Sequence, residues 1–156
     1  MSAKIAVGAK APGFTLAHDG GCQVSLADFK GRKLVLYFYP KADTPGCTVE
    51  AKDFSRLAPA FARAGTTILG VSADPVPKQD KFKAKYDLSI MLGSDETHEM
   101  LTAYGVWAKK SMWGRSYMGV LRNTYLIGPD GRVARIWEKV KVAGHAEEVL
   151  AAAKDL

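Results

Sequence analysis

Cysteine is scarce in this chain of 156 residues: there are two, Cys22 and Cys47, 25 positions apart and without a CxxC pair. That spacing argues against a disulfide-rich scaffold, against a zinc site and against dithiol exchange of the thioredoxin type. No uninterrupted apolar run reaches membrane-spanning length, and the beginning MSAKIAVGAKAPGF has no continuous apolar core such as a secretory leader carries. No membrane partner and a cytoplasmic location are therefore expected. Nucleic-acid motifs are missing too. The net charge is +6, but its basic residues are scattered over 30–33, 78–85, 109–110 and 138–141, mostly among apolar or acidic neighbours, so they read as solvated faces rather than a polyanion site. With 47% apolar and 24% charged residues, no internal repeat and no linker-like stretch, the chain is expected to form a single domain over 1–156.

What is present is strand and helix patterning in regular alternation. Residues 34–39 (LVLYFY) are a continuous apolar run, the pattern of a strand buried on both faces, and Pro40 stops it. Phe54, Leu57, Ala58 and Phe61 fall at i, i+3, i+4 and i+7 on a helix ending near Gly65, and 66–72 (TTILGVS) is a second buried strand. Together they predict a βαβ unit with a right-handed crossover. Asp74 to Pro77 open a charged helix reaching Tyr86, 87–93 hold a short strand, and Ser94 or Asp95 caps a helix running to Tyr104. Residues 105–120 read as an aromatic, glycine-rich loop packed on the surface or on a site. Two strands, 122–127 and 133–140, are joined by Gly128-Pro129-Asp130-Gly131, a helix closes the chain over 144–154, and an N-terminal β-hairpin carries Cys22 near its tip. The expected fold is α/β, with a mixed central sheet flanked by helices.

Cys47 stands in YPKADTPGCTVEAKDF, at the turn from the first buried strand into the helix. There the open amide N–H groups and the positive end of the helix dipole favour thiolate over thiol. A helix terminus supplies about 0.3–1 kcal/mol, and up to about 2 when partly buried, which is too little on its own to ionise a thiol fully at neutral pH. A cation is needed, and Arg122, just ahead of the apolar run Tyr125-Leu126-Ile127, is the best placed. Taken singly, Thr44 also fits an ordinary turn residue, Pro40 a strand terminator and Arg122 a surface charge. Glu50 fits either a residue that positions the loop or a first-turn acid favourable to the dipole.

The peptide Pro40-x-x-x-Thr44-x-x-Cys47 followed by Glu50 resembles the peroxidatic site of peroxiredoxins. The longer string FYPKADTPGCTVEAKDF is similar to the bacterioferritin comigratory protein, or PrxQ, branch. The likeness continues in order through 71–74, YGVW (104–107), MGVLRNTYLIGPDGRV (118–133) and WEKVKVAGHAEEVL (137–150). It implies a thioredoxin-like fold and a peroxide substrate attacked by Cys47, which becomes a sulfenic acid. Thr44 would hydrogen-bond the sulfur and the peroxide, and Arg122 would hold the thiolate and the developing charge. The backbone amides of Gly46 and Cys47 would complete the cradle, and Pro40 would shield the sulfur. No metal and no cofactor are implied, and a monomer is expected.

The sequence departs from that pattern in one respect. Many members of the branch carry a resolving cysteine five residues after the first, where this chain has Lys52, or on the following helix, where 77–88 contain none. The resemblance then implies a one-cysteine cycle closed by an outside thiol: thioredoxin, glutaredoxin or a small thiol. The alternatives are a cycle resolved by Cys22 and a redox-sensing or holdase-like binding role.

Overall fold

A computed structural model describes residues 5–156. The first four positions, part of the stretch in which no leader is expected, lie outside the described residues. The strands are β1 (Thr15–His18), β2 (Gln23–Ser25), β3 (Lys33–Phe38), β4 (Thr66–Ser72), β5 (Met91–Ser94), β6 (Trp107–Met112), β7 (Arg115–Val120), β8 (Thr124–Ile127) and β9 (Val133–Trp137). The helices are α1 (Pro45–Arg63), α2 (Val76–Tyr86), α3 (Glu99–Ala103) and α4 (His145–Asp155). Seven strands form one mixed sheet in the order β2-β1-β5-β4-β3-β8-β9. β3, β4 and β5 run parallel, while β8, β9, β1 and β2 pair antiparallel at the two flanks.

The continuous apolar runs form the two central strands because both faces of the sheet are covered. Val35, Tyr37 and Tyr39 alternate onto the side packed by Phe54 and Phe61 of α1, Phe82 of α2 and Val149 of α4. Leu34, Leu36 and Phe38 face the opposite side, with Met100 and Leu101 of α3. Burying a side chain of this size stabilises by about 1.5–3 kcal/mol, so these two layers dominate the favourable side of folding. Helix α1 tolerates Pro59 in its interior. A proline there leaves the carbonyl four residues earlier without its helical donor, and the Ser89 hydroxyl donates to that Ser55 carbonyl at 3.2 Å.

The structure differs from the sequence reading in several elements, and strand β8 begins at Thr124 rather than at Arg122, which lies in the segment ahead of it. Residues 107–120, expected as a loop, form a separate two-stranded hairpin whose turn is Trp113-Gly114, with φ of 57° and 75°. Tryptophan is not among the residues that signal such a turn. Helix α3 begins at Glu99, because Ser94 is spent as the last residue of β5. Asp95 still acts on the helix, its carboxylate accepting the Leu101 N–H at 2.8 Å. Strand β9 stops at Trp137 rather than Val140, since Lys139 takes a left-handed φ of 49°.

Candidate active site

Cys47 is the third residue of α1, directly beyond the C-terminal end of β3, and its side chain is 1% exposed. Pro45 opens the helix at the position where a missing N–H costs nothing. The N–H of Thr48 is already engaged, donating to the Thr44 carbonyl at 2.8 Å. The amides of Gly46 and Cys47 precede it, in the turn where an α-helix leaves its donors open. The loop before the helix is fixed from below. The Asp74 carboxylate accepts the Ala42 N–H at 2.8 Å and the Ser72 hydroxyl at 2.6 Å. Gln79 donates to that same hydroxyl and to the Gly93 carbonyl, and accepts from Tyr39. Asp43, at a left-handed φ of 59°, is held from the side by the Tyr86 hydroxyl at 2.6 Å and by Lys85 at 2.9 Å.

Arg122 meets the sulfur. Its Nη2 donates to Cys47 Sγ at 3.3 Å, and its Nη1 donates to Glu50 Oε1 at 2.6 Å. One planar guanidinium thus bridges the thiol and a carboxylate, a fork that lysine cannot reproduce. The Arg122 backbone is pinned on both sides: Leu121 donates to the Val106 carbonyl and Val140 donates to the Arg122 carbonyl, each at 2.8 Å. Glu50 is 1% exposed, and its Oε2 has no partner among the described residues. Burial drives the Glu50 carboxyl up to about 7, against the opposing pull of Arg122. Burial also pushes the Tyr37 hydroxyl well above the usual phenol range, with the charges of Tyr39, Glu50 and Cys47 acting in the same direction.

Thr44 departs from expectation. It is the N-cap of α1 in extended backbone, and its hydroxyl donates to the Lys41 carbonyl at 2.7 Å rather than to the sulfur. Its lone pairs remain available to accept from a ligand O–H. Pro40 is half-buried between β3 and the loop. Cys22 is exposed, immediately before β2 at the far edge of the sheet, with β1, β5 and β4 between that strand and β3.

Several contributions escaped the sequence reading. Gly46, expected only through its amide, also matters for the side chain it lacks: a Cβ there would sit 3.2 Å from Arg122 Nη2, so glycine leaves the guanidinium its place beside the sulfur. Gly46→Ala is expected to stabilise the helix by roughly 0.5–1 kcal/mol while displacing that group, lowering the rate of Cys47 oxidation by peroxide about three- to tenfold. Thermal melts and stopped-flow oxidation measured side by side would check that opposite movement. His145 is another. It is 4% exposed, shares a 2.8 Å hydrogen bond with Thr124 Oγ1, and stands edge-on to Phe54 and Trp137. It thereby ties α4 and α1 to the strand that follows Arg122. The missed signal was polar residues, Ser72, Asp74, Gln79 and His145, inside otherwise apolar surroundings.

Chemically, the arrangement offers a shielded sulfur facing a fixed cation, open amide donors and a hydroxyl acceptor, which suits a nucleophile that drives charge onto a neighbouring oxygen. Among the described residues no cluster of three or more His, Cys, Asp or Glu could hold a metal, and no helix is long and apolar enough to cross a membrane.

Comparison with known proteins bears on this geometry. A family model described as the AhpC/TSA family matches residues 7–136. The peroxiredoxin Bcp of Bacillus subtilis is 45% identical over 152 residues, covering 97% of each chain. That of Xanthomonas campestris is 48% identical over 139 residues, covering 89% of this chain and 87% of its own. Among solved structures, the Xanthomonas campestris bacterioferritin comigratory protein superposes with a TM-score of 0.87 at 46% identity, over 91% of this chain and 90% of that one. It was solved as trapped intermediate and ligand complexes bearing on its alkyl peroxide reduction activity. Xylella fastidiosa PrxQ superposes with a TM-score of 0.93 at 37% identity, over 99% and 98%.

Proposed function

This chain belongs to the AhpC/TSA family, in its peroxiredoxin Bcp/PrxQ branch, and from that membership we propose a one-cysteine thiol peroxidase cycle centred on Cys47. In the first step the Cys47 thiolate attacks the terminal oxygen of a hydroperoxide. The S–O bond forms as the O–O bond breaks, and the leaving oxygen takes up a proton to depart as water or an alcohol. Arg122, 3.3 Å from the sulfur, stabilises the thiolate and the charge passing to the peroxide oxygens. Thr44 accepts the peroxide O–H, the amides of Gly46 and Cys47 donate to the oxygens, and Pro40 limits solvent at the sulfur. A low thiol pKa alone reduces nucleophilicity, so these oriented donors supply most of the rate. Hydrogen peroxide and alkyl hydroperoxides are both within the reading. The alkyl case is supported by the activity ascribed to the Xanthomonas relative.

The observation that carries the one-cysteine form is the placement of the two thiols. From β3 to β2 are four strand spacings, about 19 Å laterally, whereas a disulfide needs Cα atoms within about 7 Å. At the branch's local resolving position, the exposed Lys52 lies 5.9 Å from the Tyr86 ring. The cycle therefore closes outside the chain. One external thiol attacks the sulfenic acid to give a mixed disulfide and water, and a second thiol releases reduced Cys47 as a disulfide of the reductant. Thioredoxin, glutaredoxin and small thiols all fit that role. Without a resolving partner the sulfenic acid stands open to a second peroxide, so excess oxidant drives Cys47 to sulfinic acid.

The test is peroxide consumption by prereduced protein. Without thiol it is expected to stop after about one to two peroxides per chain, the second spent on sulfinic acid, and with excess thiol it continues through many turnovers. Sustained consumption without thiol, or none with it, would count against the cycle.

A further inference from the structure

The hairpin of β6 and β7 stands apart from the main sheet and ends in an unusual tip. Trp113 is 92% exposed in the first central position of a turn that needs positive φ, a conformation that bulky side chains rarely adopt. Around it Met112 is 56% exposed, Met118 48% and Tyr117 45%. Strand alternation and the register Lys109↔Met118, Lys110↔Tyr117 and Met112↔Arg115 put Met112 and Tyr117 on one face and Met118 on the other. The tip ends in Trp113; on one face Met112 pairs with Arg115 and then Tyr117 with Lys110, and on the other the Ser111↔Ser116 pair comes first, with Met118 further back beside Lys109. Each exposed apolar strand residue has a cation across from it, Arg115 opposite Met112, Lys110 opposite Tyr117 and Lys109 opposite Met118, and no acidic residue occurs from 105 to 123.

We infer that this hairpin is a docking element for the surface of an anionic lipid bilayer, its Trp113 tip entering the interfacial layer while Lys109, Lys110 and Arg115 meet the headgroup phosphates. Shape and charge together select that occupant. A nearly fully exposed tryptophan at the very end of the ribbon, with apolar and cationic side chains paired across the strands behind it, fits a tip that enters an interfacial layer end-on. Cations gathered without an acidic residue in the same segment match an anionic headgroup layer, and an aromatic tip flanked by cations suits the boundary between headgroups and acyl chains. This contact is peripheral. The expectation of no membrane partner rested on the lack of a spanning segment, which a hairpin does not need. The hairpin base leads through Leu121 to Arg122, so docking would bring Cys47 toward hydroperoxides formed in lipid. That consequence rests on the peroxidase reading; the binding itself does not.

Co-sedimentation with vesicles tests the binding without any turnover. Wild-type protein is expected to pellet with phosphatidylglycerol-phosphatidylcholine vesicles at low salt, and about tenfold less with pure phosphatidylcholine or at about 0.5 M salt. Trp113→Ser is expected to weaken binding about tenfold while leaving hydrogen peroxide consumption unchanged. Trp113→Phe separates the Trp113 fluorescence from that of Trp107 and Trp137, and the blue shift on adding vesicles should vanish with it. Failure to pellet with anionic vesicles overturns the inference, as does binding indifferent to Trp113→Ser. Sedimentation velocity of the free protein probes the competing occupant: a monomer is expected, and a dimer that Trp113→Ser dissociates would put a second copy on the tip and overturn the lipid assignment.

Discussion

Replacing Arg122 by methionine is expected to lower the second-order rate of Cys47 oxidation by hydrogen peroxide about 10²- to 10³-fold, the usual cost of losing one donor aimed at developing charge. The guanidinium has two jobs at once, at 3.3 Å from Sγ and 2.6 Å from Glu50 Oε1. Arg122→Lys restores a charge but not the fork, so it should recover only part of the rate. Breaking a buried ion pair ordinarily costs about 3–5 kcal/mol because a naked charge is left behind. Here the loss is expected to be smaller, about 1–2 kcal/mol, because Glu50 already titrates at about 7 and takes up a proton when its partner goes. Stopped-flow oxidation alongside a thermal melt separates the effects. A rate within a few-fold of wild type in a folded Arg122→Met protein would remove Arg122 from the mechanism.

Two buried groups beside the site are expected to work against each other as pH changes. Glu50 is raised to about 7 from an ordinary 4.5, so its stabilising contribution is complete below 4.5 and is lost as pH climbs to 7. Burial, against the opposing pull of Glu148 and with a smaller contribution from Arg122 in the same sense, lowers His145 to about 4 from 6.5. The folded state therefore holds the imidazole neutral, and stability is lost as pH falls from 6.5 toward 4. Between 4.5 and 6.5 the slopes are opposite, each about 1.4 kcal/mol per pH unit at most, and they offset one another in the wild type. Single variants should unmask them. Relative to wild type, Glu50→Gln gains about 2–3 kcal/mol as pH rises from 4.5 to 7, and His145→Gln gains a similar amount as pH falls from 6.5 to 4. Using differences from wild type cancels the surface carboxylates. Denaturant unfolding at pH 4.5, 5.5, 6.5 and 7.5 measures both, and parallel profiles for all three proteins would contradict the account.

Legibility in the sequence followed how local each feature was. β3, α1 and β4 could be read because burial on two faces leaves continuous apolar runs and a helical stripe needs only neighbours at i+3 and i+4. Arg122 could be nominated because it stands just ahead of the apolar run that becomes β8, at the same end of the sheet as Cys47. The hydroxyl direction of Thr44 could not, since it depends on the turn that brings the Lys41 carbonyl within 2.7 Å. Nor could the steric part played by Gly46, whose missing Cβ matters only against a guanidinium 76 positions later in the chain. The Trp113-Gly114 turn was hidden for a different reason: positive φ at a tryptophan contradicts the residue preferences on which turn reading depends. His145 was passed over as one polar residue in a closing helix, because its partners Thr124, Phe54 and Trp137 come from three other elements.

The most direct test of the one-cysteine reading is the intact mass, without reductant, of fully reduced protein exposed briefly to one equivalent of hydrogen peroxide, with Cys47→Ser treated in parallel. The account predicts that the wild type gains one oxygen atom and that Cys47→Ser stays unchanged. Loss of two hydrogens would mean that Cys22 reaches Cys47 after all, and an unchanged wild-type mass would contradict peroxidatic chemistry at Cys47 altogether.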